Sequence, residues 1–162
     1  MNDGPRFRAA LPRDVSGIVA LVNGFAAERV MLPRTPESVA LALDDFIVAV
    51  DAHGAVLACG ALKEYSPSLA EVASVAVSRR VHARGLGRGI IERLEMLARR
   101  RGIAELFALT LTPGFFERVG YAAVERALYP EKIKRDCVSC TRRFGCAEVC
   151  VRRLLDAAAL AA

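Results

Sequence analysis

The segment Val75-Ala76-Val77, followed by His82-Ala83-Arg84-Gly85-Leu86-Gly87-Arg88-Gly89, constrains the fold more than any other stretch of the chain. An apolar, β-type run enters a basic glycine-rich loop, and Ile90, Ile91, Leu94, Leu97 and Ala98 then repeat at helical spacing. A strand that passes through such a loop into a helix aims several free amide N–H groups at one spot, and the helix dipole makes that spot favourable for an anion. Glycine suits the loop because a Cβ would hold a phosphate off the backbone and because turn residues can require positive φ. Arg84 and Arg88 add charge. Taken alone, the pattern also fits an ordinary helix-entry turn. A dinucleotide loop is disfavoured, because it would follow the first strand of a βαβ unit with an acidic residue ~20 positions on. This loop comes mid-chain after a fourth strand, and Glu105 precedes the apolar run of its strand instead of ending it. No Gly-Lys-Ser/Thr follows, so the Walker-A pattern is excluded.

The elements around the loop alternate. Phe7 to Ala10 reads as a short strand, and Pro12 and Asp14 start a helix with Val15, Ile18, Val19, Val22 and Phe25 on one face. Thr35 is an N-cap with Pro36 at the first helical position and Ser38 three residues on. Phe46 to Val50, the turn Asp51 to Gly54, and Val56 to Tyr65 read as a hairpin, and Ala70 to Val77 as the next strand. After the glycine loop the helix runs through Arg101, stopped by Gly102, and Leu106 to Leu111 is a buried strand. The order strand, helix, strand predicts a parallel pair. A short helix, Phe115 to Val119, a strand, Tyr121 to Leu128, a polar Cys-bearing excursion over 130–146 and a last strand, Glu148 to Leu154, complete the order. With 162 residues, 54% of them apolar and 25% charged, the chain fits one globular domain over 1–155 with a tail over 156–162.

Charge and cysteines narrow the partners. The net charge of +5 is concentrated around the glycines and at Arg99-Arg100-Arg101, where cations suit a helix C-terminus. No aromatic residues interleave with either group and there is no Trp, so no platform for stacking nucleic-acid bases is expected. Met1 to Arg6 runs into no signal core, and Ile18 to Ala27, broken by Asn23 and Gly24, is too short to span a bilayer. A cytoplasmic protein with no membrane and no nucleic-acid partner is the expectation. Cys59 reads as a small core residue. Cys137-x2-Cys140-x5-Cys146-x3-Cys150 could close a tetrahedral, structural zinc site. The alternatives are a reduced thiol cluster, or Cys150 buried on the final strand with three thiols left together.

The element order and the loop resemble the GNAT superfamily of N-acetyltransferases. That family's loop is Gln/Arg-x-x-Gly-x-Gly/Ala beginning five residues after the central strand, which places His82 at the first position and Gly85 and Gly87 at the glycines. His82 departs from the pattern. A second register, Arg84-x-x-Gly87-x-Gly89, matches the letters but displaces the loop by two residues. Phe115-Phe116-Glu117-Arg118-Val119-Gly120-Tyr121 is similar to the family's second signature. Within the family, Met31 to Thr35, Ala70 to Val77, Leu109-Thr110, Pro130-Glu131-Lys132 and Asp136 to Cys140 resemble N-acetylglutamate synthases of arginine biosynthesis, in a short form without an arginine-binding kinase domain.

The resemblance implies an α/β fold: a central mixed, mostly antiparallel sheet with a parallel splayed pair at the cofactor site and helices on both faces. It implies acetyl-CoA as co-substrate, held by Val75, Ala76, Val77, His82, Ala83, Arg84, Gly85, Leu86, Gly87, Arg88 and Phe116. Glu71, six residues before Val77, stands where histone-modifying relatives keep a base; the alternative is a strand-end carboxylate exposed to solvent or paired with an arginine. A tyrosine acid would sit at 116, where this chain has Phe116; Tyr121 or Tyr129 substitutes, or the thiolate leaves unaided, plausible for a thiol of pKa ~8.5. An acidic acceptor, L-glutamate, would be bound by Arg34, with Lys63, Thr110 and Thr112 lining the cleft. Other amino acids, polyamines, drugs or protein N-termini are alternative acceptors, and an acyl-CoA-binding regulatory module is the non-enzymatic one. Dimers are common in the family, so a homodimer is an expectation from resemblance alone.

Overall fold

A computed structural model describes residues 4–81, 85–140 and 146–155. Its elements are β1 (Arg6–Ala9), α1 (Val15–Ala27), α2 (Pro36–Leu41), β2 (Phe46–Val50), β3 (Val56–Ser66), β4 (Leu69–Val77), α3 (Leu86–Arg100), β5 (Glu105–Thr110), α4 (Pro113–Arg118), β6 (Ala122–Ala123), α5 (Pro130–Lys132) and β7 (Val149–Leu154). The strands form a mixed sheet in the order β1-β2-β3-β4-β5-β7-β6. Pairs β1/β2, β2/β3, β5/β7 and β6/β7 are antiparallel, and β4/β5 is parallel, as the crossover through α3 requires. The chain divides into two compact units, one of Met1–Lys63 and Val72–Leu97, the other of Glu64–Glu71 and Ala98–Ala162.

In the first unit, the two-residue period of the strands sorts side chains between two helical layers. Phe46, Val48 and Val50 of β2 and Cys59 and Ala61 of β3 pack with Ile18 and Val22 of α1 and Val39 of α2. The alternate β3 residue Gly60 faces Ile90 and Leu94 of α3, so helices cover both faces. Thr35 Oγ1 accepts the Ser38 amide at 3.1 Å, and Ser38 Oγ accepts the Thr35 amide at 3.1 Å. This reciprocal cap, with Pro36 following, starts α2 where the sequence places it.

In the second unit, Leu69–Glu71 run beside Glu105–Phe107, and all six residues of β5 pair with β7. Leu69, Phe107, Tyr129 and Cys150 form its core, with Tyr65, Leu109 and Val124 packed against them. Two expectations need correction. The strand expected over Tyr121 to Leu128 is only Ala122–Ala123, because Leu128 N–H closes on Glu125 O at 3.1 Å and Tyr129 N–H on Arg126 O at 3.0 Å. That 3-10 turn swings Tyr129 inward, where its ring stacks on Phe107 at 4.2 Å. The excursion after it is helical at its start: α5 runs into a π-helical turn, Ile133–Cys137, with Val138 N–H bonded to Ile133 O at 3.1 Å. Among the described residues, no helix is long and apolar enough to cross a membrane.

Candidate active site

Of the glycine loop, the structure describes Gly85 onward into α3. Gly85 has φ +68°, a left-handed conformation that costs an L side chain about 1–2 kcal/mol. At the start of α3, Gly89 N–H bonds Gly85 O at 2.9 Å. Leu86, Gly87 and Arg88 form the first turn of α3, where a helix's amides have no partner within the helix itself. Gly89 serves packing instead. A Cβ there would lie 2.3 Å from the Phe7 ring, whose face also carries the Arg93 guanidinium at 4.0 Å. Packing against β1 accounts for Gly89, the last glycine of the second register, without a ligand. Arg88 is exposed and forms an i,i+4 ion pair with Glu92 at 3.4 Å. His82, Ala83 and Arg84 lie outside the described residues.

Upstream, β4 contains an irregularity that composition did not signal. Ser74 has φ +53° in mid-strand, and its carbonyl accepts the buried Cys59 thiol at 3.4 Å. Burial pushes that thiol up to about 12, so Cys59 is a packing group, as expected. Such backbone outliers concentrate at ligand clamps, and Val75, Ala76 and Val77 follow directly. Beyond β4, Arg79 pairs with Glu28 at 2.7 Å and lies over the Phe25 ring at 5.1 Å. Gly24, Phe25, Glu28, Ser78 and Arg79 line an open groove of about 210 Å³.

Glu71 is 5% exposed, on the last β4 residue that pairs with β5. Of the sequence alternatives, solvent exposure is wrong, and its ion-pair partner is a lysine. Lys132 Nζ lies 3.1 Å from Oε1 and 2.9 Å from Oε2 of Glu71, and 3.0 Å from Oδ2 of Asp136. Burial opposes the Lys132 charge, but the Glu71 and Asp136 carboxylates outweigh it and raise its affinity for the proton. Tyr65 O–H donates to Asp136, and the Arg135 guanidinium lies over the Tyr65 ring at 4.6 Å. Burial first, then Glu71 and Asp136, push the Tyr65 phenol far up. The sequence analysis gives Lys132, Asp136 and Tyr65 no site role, although Lys132 and Asp136 lie in stretches that carry the resemblance, because a Lys and an Asp in a polar excursion look like solvated residues; their i,i+4 spacing is the available signal.

Arg34 is half-buried; its Nε donates to Ser38 Oγ and its Nη2 to Ser38 O, both at 3.2 Å, and its guanidinium lies over Phe46 at 5.4 Å. Asn23 clamps the Arg34 backbone, accepting its N–H at 2.8 Å and donating to its O at 2.9 Å. Lys63 is half-buried on β3. Thr110 is buried, and its Oγ1 accepts the Thr112 amide at 2.9 Å. Phe116 is buried edge-on between Phe115 and Tyr121, each at 5.3 Å. Tyr129 O–H donates to Glu105 at 2.7 Å, and burial together with that carboxylate pushes its phenol well up. A phenol so held is a poor source of a proton for a leaving thiolate.

The zinc expectation for Cys137, Cys140, Cys146 and Cys150 is not supported. Among the described residues, no group of three or more His, Cys, Asp or Glu side chains is arranged to hold a metal ion. Cys150 is committed to the core of β7, and burial raises its thiol to about 11. Cys146 Sγ takes a hydrogen bond from Arg126 Nη2 at 3.3 Å.

Comparison with known proteins decides the family. A family model described as an acetyltransferase (GNAT) domain matches residues 42–123. An uncharacterized N-acetyltransferase of Chlorobaculum tepidum is 38% identical over 148 residues, 91% of this chain and 95% of that protein. The chain belongs to the GNAT acetyltransferase family. It is an acetyl-CoA-dependent N-acetyltransferase, which sets aside the non-enzymatic module. An amino-acid acetyltransferase of Mycobacterium tuberculosis is similar to this GNAT chain at 33% identity over 123 residues, covering 75% of this chain and 70% of that one. The crystal structure of N-acetylglutamate synthase from Neisseria gonorrhoeae, complexed with coenzyme A and N-acetyl-glutamate, superimposes with a TM-score of 0.84 at 26% identity. That match covers 94% of this chain and 35% of the synthase, so the GNAT chain spans about a third of that protein's length.

Proposed function

We propose that this GNAT enzyme acetylates the α-amino group of an amino acid, with L-glutamate as the first candidate. The observation that carries the acceptor class is the similarity to amino-acid acetyltransferases, including a structural neighbour solved with coenzyme A and N-acetyl-glutamate. Acetyl-CoA would place its phosphates on the amides of Leu86, Gly87 and Arg88 and on the loop before them, where the helix dipole favours anions. The backbone of Val75–Val77 would pair with the pantetheine arm as an added strand.

Glu71 would act as the base. The acceptor's ammonium gives a proton to Glu71, directly or through a water; the amine then attacks the thioester carbonyl, the tetrahedral adduct expels the CoA thiolate, and the nitrogen's second proton passes to that thiolate or to water. The thiolate would leave without help from Tyr129, whose hydroxyl is engaged by Glu105. Arg34 would contribute to binding an acceptor carboxylate, although Ser38 already uses two of its five donors. That engagement favours a second reading, in which the acceptor is an amino acid without an acidic side chain.

Thiol release from acetyl-CoA, measured against a panel of L-amino acids with polyamines and a peptide amine as controls, tests the proposal. Saturable turnover with glutamate alone supports the first reading, and turnover with another amino acid supports the second. Turnover confined to polyamines or the peptide would overturn both. Glu71→Gln is expected to lower kcat/KM by about 10²–10⁴-fold at neutral pH, the usual contribution of a general base.

A further inference from the structure

Three charged groups meet at Glu71, and the proposed chemistry uses only one of them. Lys132 Nζ is shared between two carboxylates, 2.9 and 3.1 Å from the Glu71 oxygens and 3.0 Å from Asp136. Lys132 is 12% exposed, and Asp136 is held in place by the Tyr65 hydroxyl. The cluster is anionic by one charge when all three groups are ionised. Other elements face it with Tyr65 of β3, the Arg135 guanidinium on the Tyr65 ring, Phe107 opposite Glu71 on β5, and the Cys150 thiol of β7, which feels the Glu71 charge. Glu105 is occupied by Tyr129. Asp136 reaches the cluster from a π-helical turn, a distortion that recurs at functional sites, and Lys132 from the residue of α5 directly before that turn.

We propose that Lys132 and Asp136 are positioning residues that act in opposite directions on Glu71, the lysine holding it ionised and the aspartate keeping it basic enough to take a proton. The proposal rests on Glu71 being the base. A carboxylate buried without a cation would be protonated at neutral pH, and one paired to a cation of its own would be a poor base. Sharing one ammonium between two carboxylates places Glu71 between these limits. The orientation of the carboxylate is fixed by the same contact, since Nζ touches both its oxygens.

The two directions make the proposal testable in the acid limb of kcat/KM, because loss of a merely structural anchor has no reason to move that limb in opposite directions in the two variants. The Glu71 carboxyl is titrated by ¹³C NMR in the wild type, Lys132→Met and Asp136→Asn, and the acid limb of kcat/KM is followed in parallel. Lys132→Met is expected to move the midpoint up by about one pH unit or more, and Asp136→Asn to move it down. Lys132→Arg, which restores the cation, should return it towards the wild-type value. Shifts of the same sign, or unchanged titrations with only a lowered Tm, would overturn the proposal and leave the cluster as an anchor for α5. If Lys132→Met does not fold, the downward shift in Asp136→Asn decides alone. Failure of the base assignment shows separately, as a Glu71→Gln enzyme that retains its rate and acid limb while the NMR midpoints still report on the cluster.

Discussion

At the scale of single residues, the glycine loop separates into two kinds of glycine that the sequence pattern could not distinguish. Gly85 is there for its φ of +68°, since a Cβ at that position would meet nothing within 4 Å, whereas Gly89 is there for the Phe7 ring. Gly85→Ala should strain the turn from which α3 springs and raise the KM for acetyl-CoA, with a stability loss of about 1–2 kcal/mol. Gly89→Ala should lower stability by about 1–3 kcal/mol through overpacking, while the KM for acetyl-CoA in the folded fraction changes little. Paired Tm and KM measurements on both variants check this, and a KM effect at Gly89 equal to that at Gly85 would return the second loop register to favour. Glu71 is singled out in the sequence by resemblance, six residues before Val77, and its place on β4 follows from the strand itself. Lys132 is not, because its meeting with Glu71 joins positions 61 residues apart.

At the scale of elements, legibility follows how local the cause is. The cap of α2 is written in four consecutive residues, and it forms as written. The region after Tyr121 departs from its sequence pattern because a tertiary partner decides it: Tyr129 is buried by stacking on Phe107 and bonding Glu105, and the 3-10 turn of Arg126–Leu128 serves that burial. The same Tyr129 is one of the two tyrosines that could have replaced the missing acid at 116. Tyr129→Phe keeps the stack and removes one hydrogen bond, so unfolding free energy should fall by about 1 kcal/mol, with kcat retained within a few-fold. A catalytic acid would instead lose about 10²–10⁴ in kcat, and a kcat loss of that size with Tm unchanged would restore the acid role.

At the scale of the whole molecule, acid stability depends on carboxylates that the fold holds ionised, and Asp14 is the clearest of them. It is 2% exposed, accepts Arg8 at 2.6 and 3.1 Å, and accepts the Leu11 amide at 2.7 Å. Burial works to raise its pKa, but the Arg8 and Leu11 hydrogen bonds outweigh burial and leave it below the ordinary carboxylate value. A folded-state pKa below the unfolded one means that the native state binds protons less readily. The stabilisation is therefore fully present about a pH unit above 3.9, the unfolded value, and is lost as pH falls through that value and the depressed folded one. Asp14→Asn should thus unfold about 2 kcal/mol more easily at neutral pH, the scale of hydrogen bonds to a charged group. The gap to wild type should stay level down to about pH 5 and close progressively below it. Urea unfolding of both proteins across that range reads the gap directly; one that keeps its neutral-pH size in strong acid would mean that Asp14 acts through shape and neutral hydrogen bonding, with its charge irrelevant to the fold.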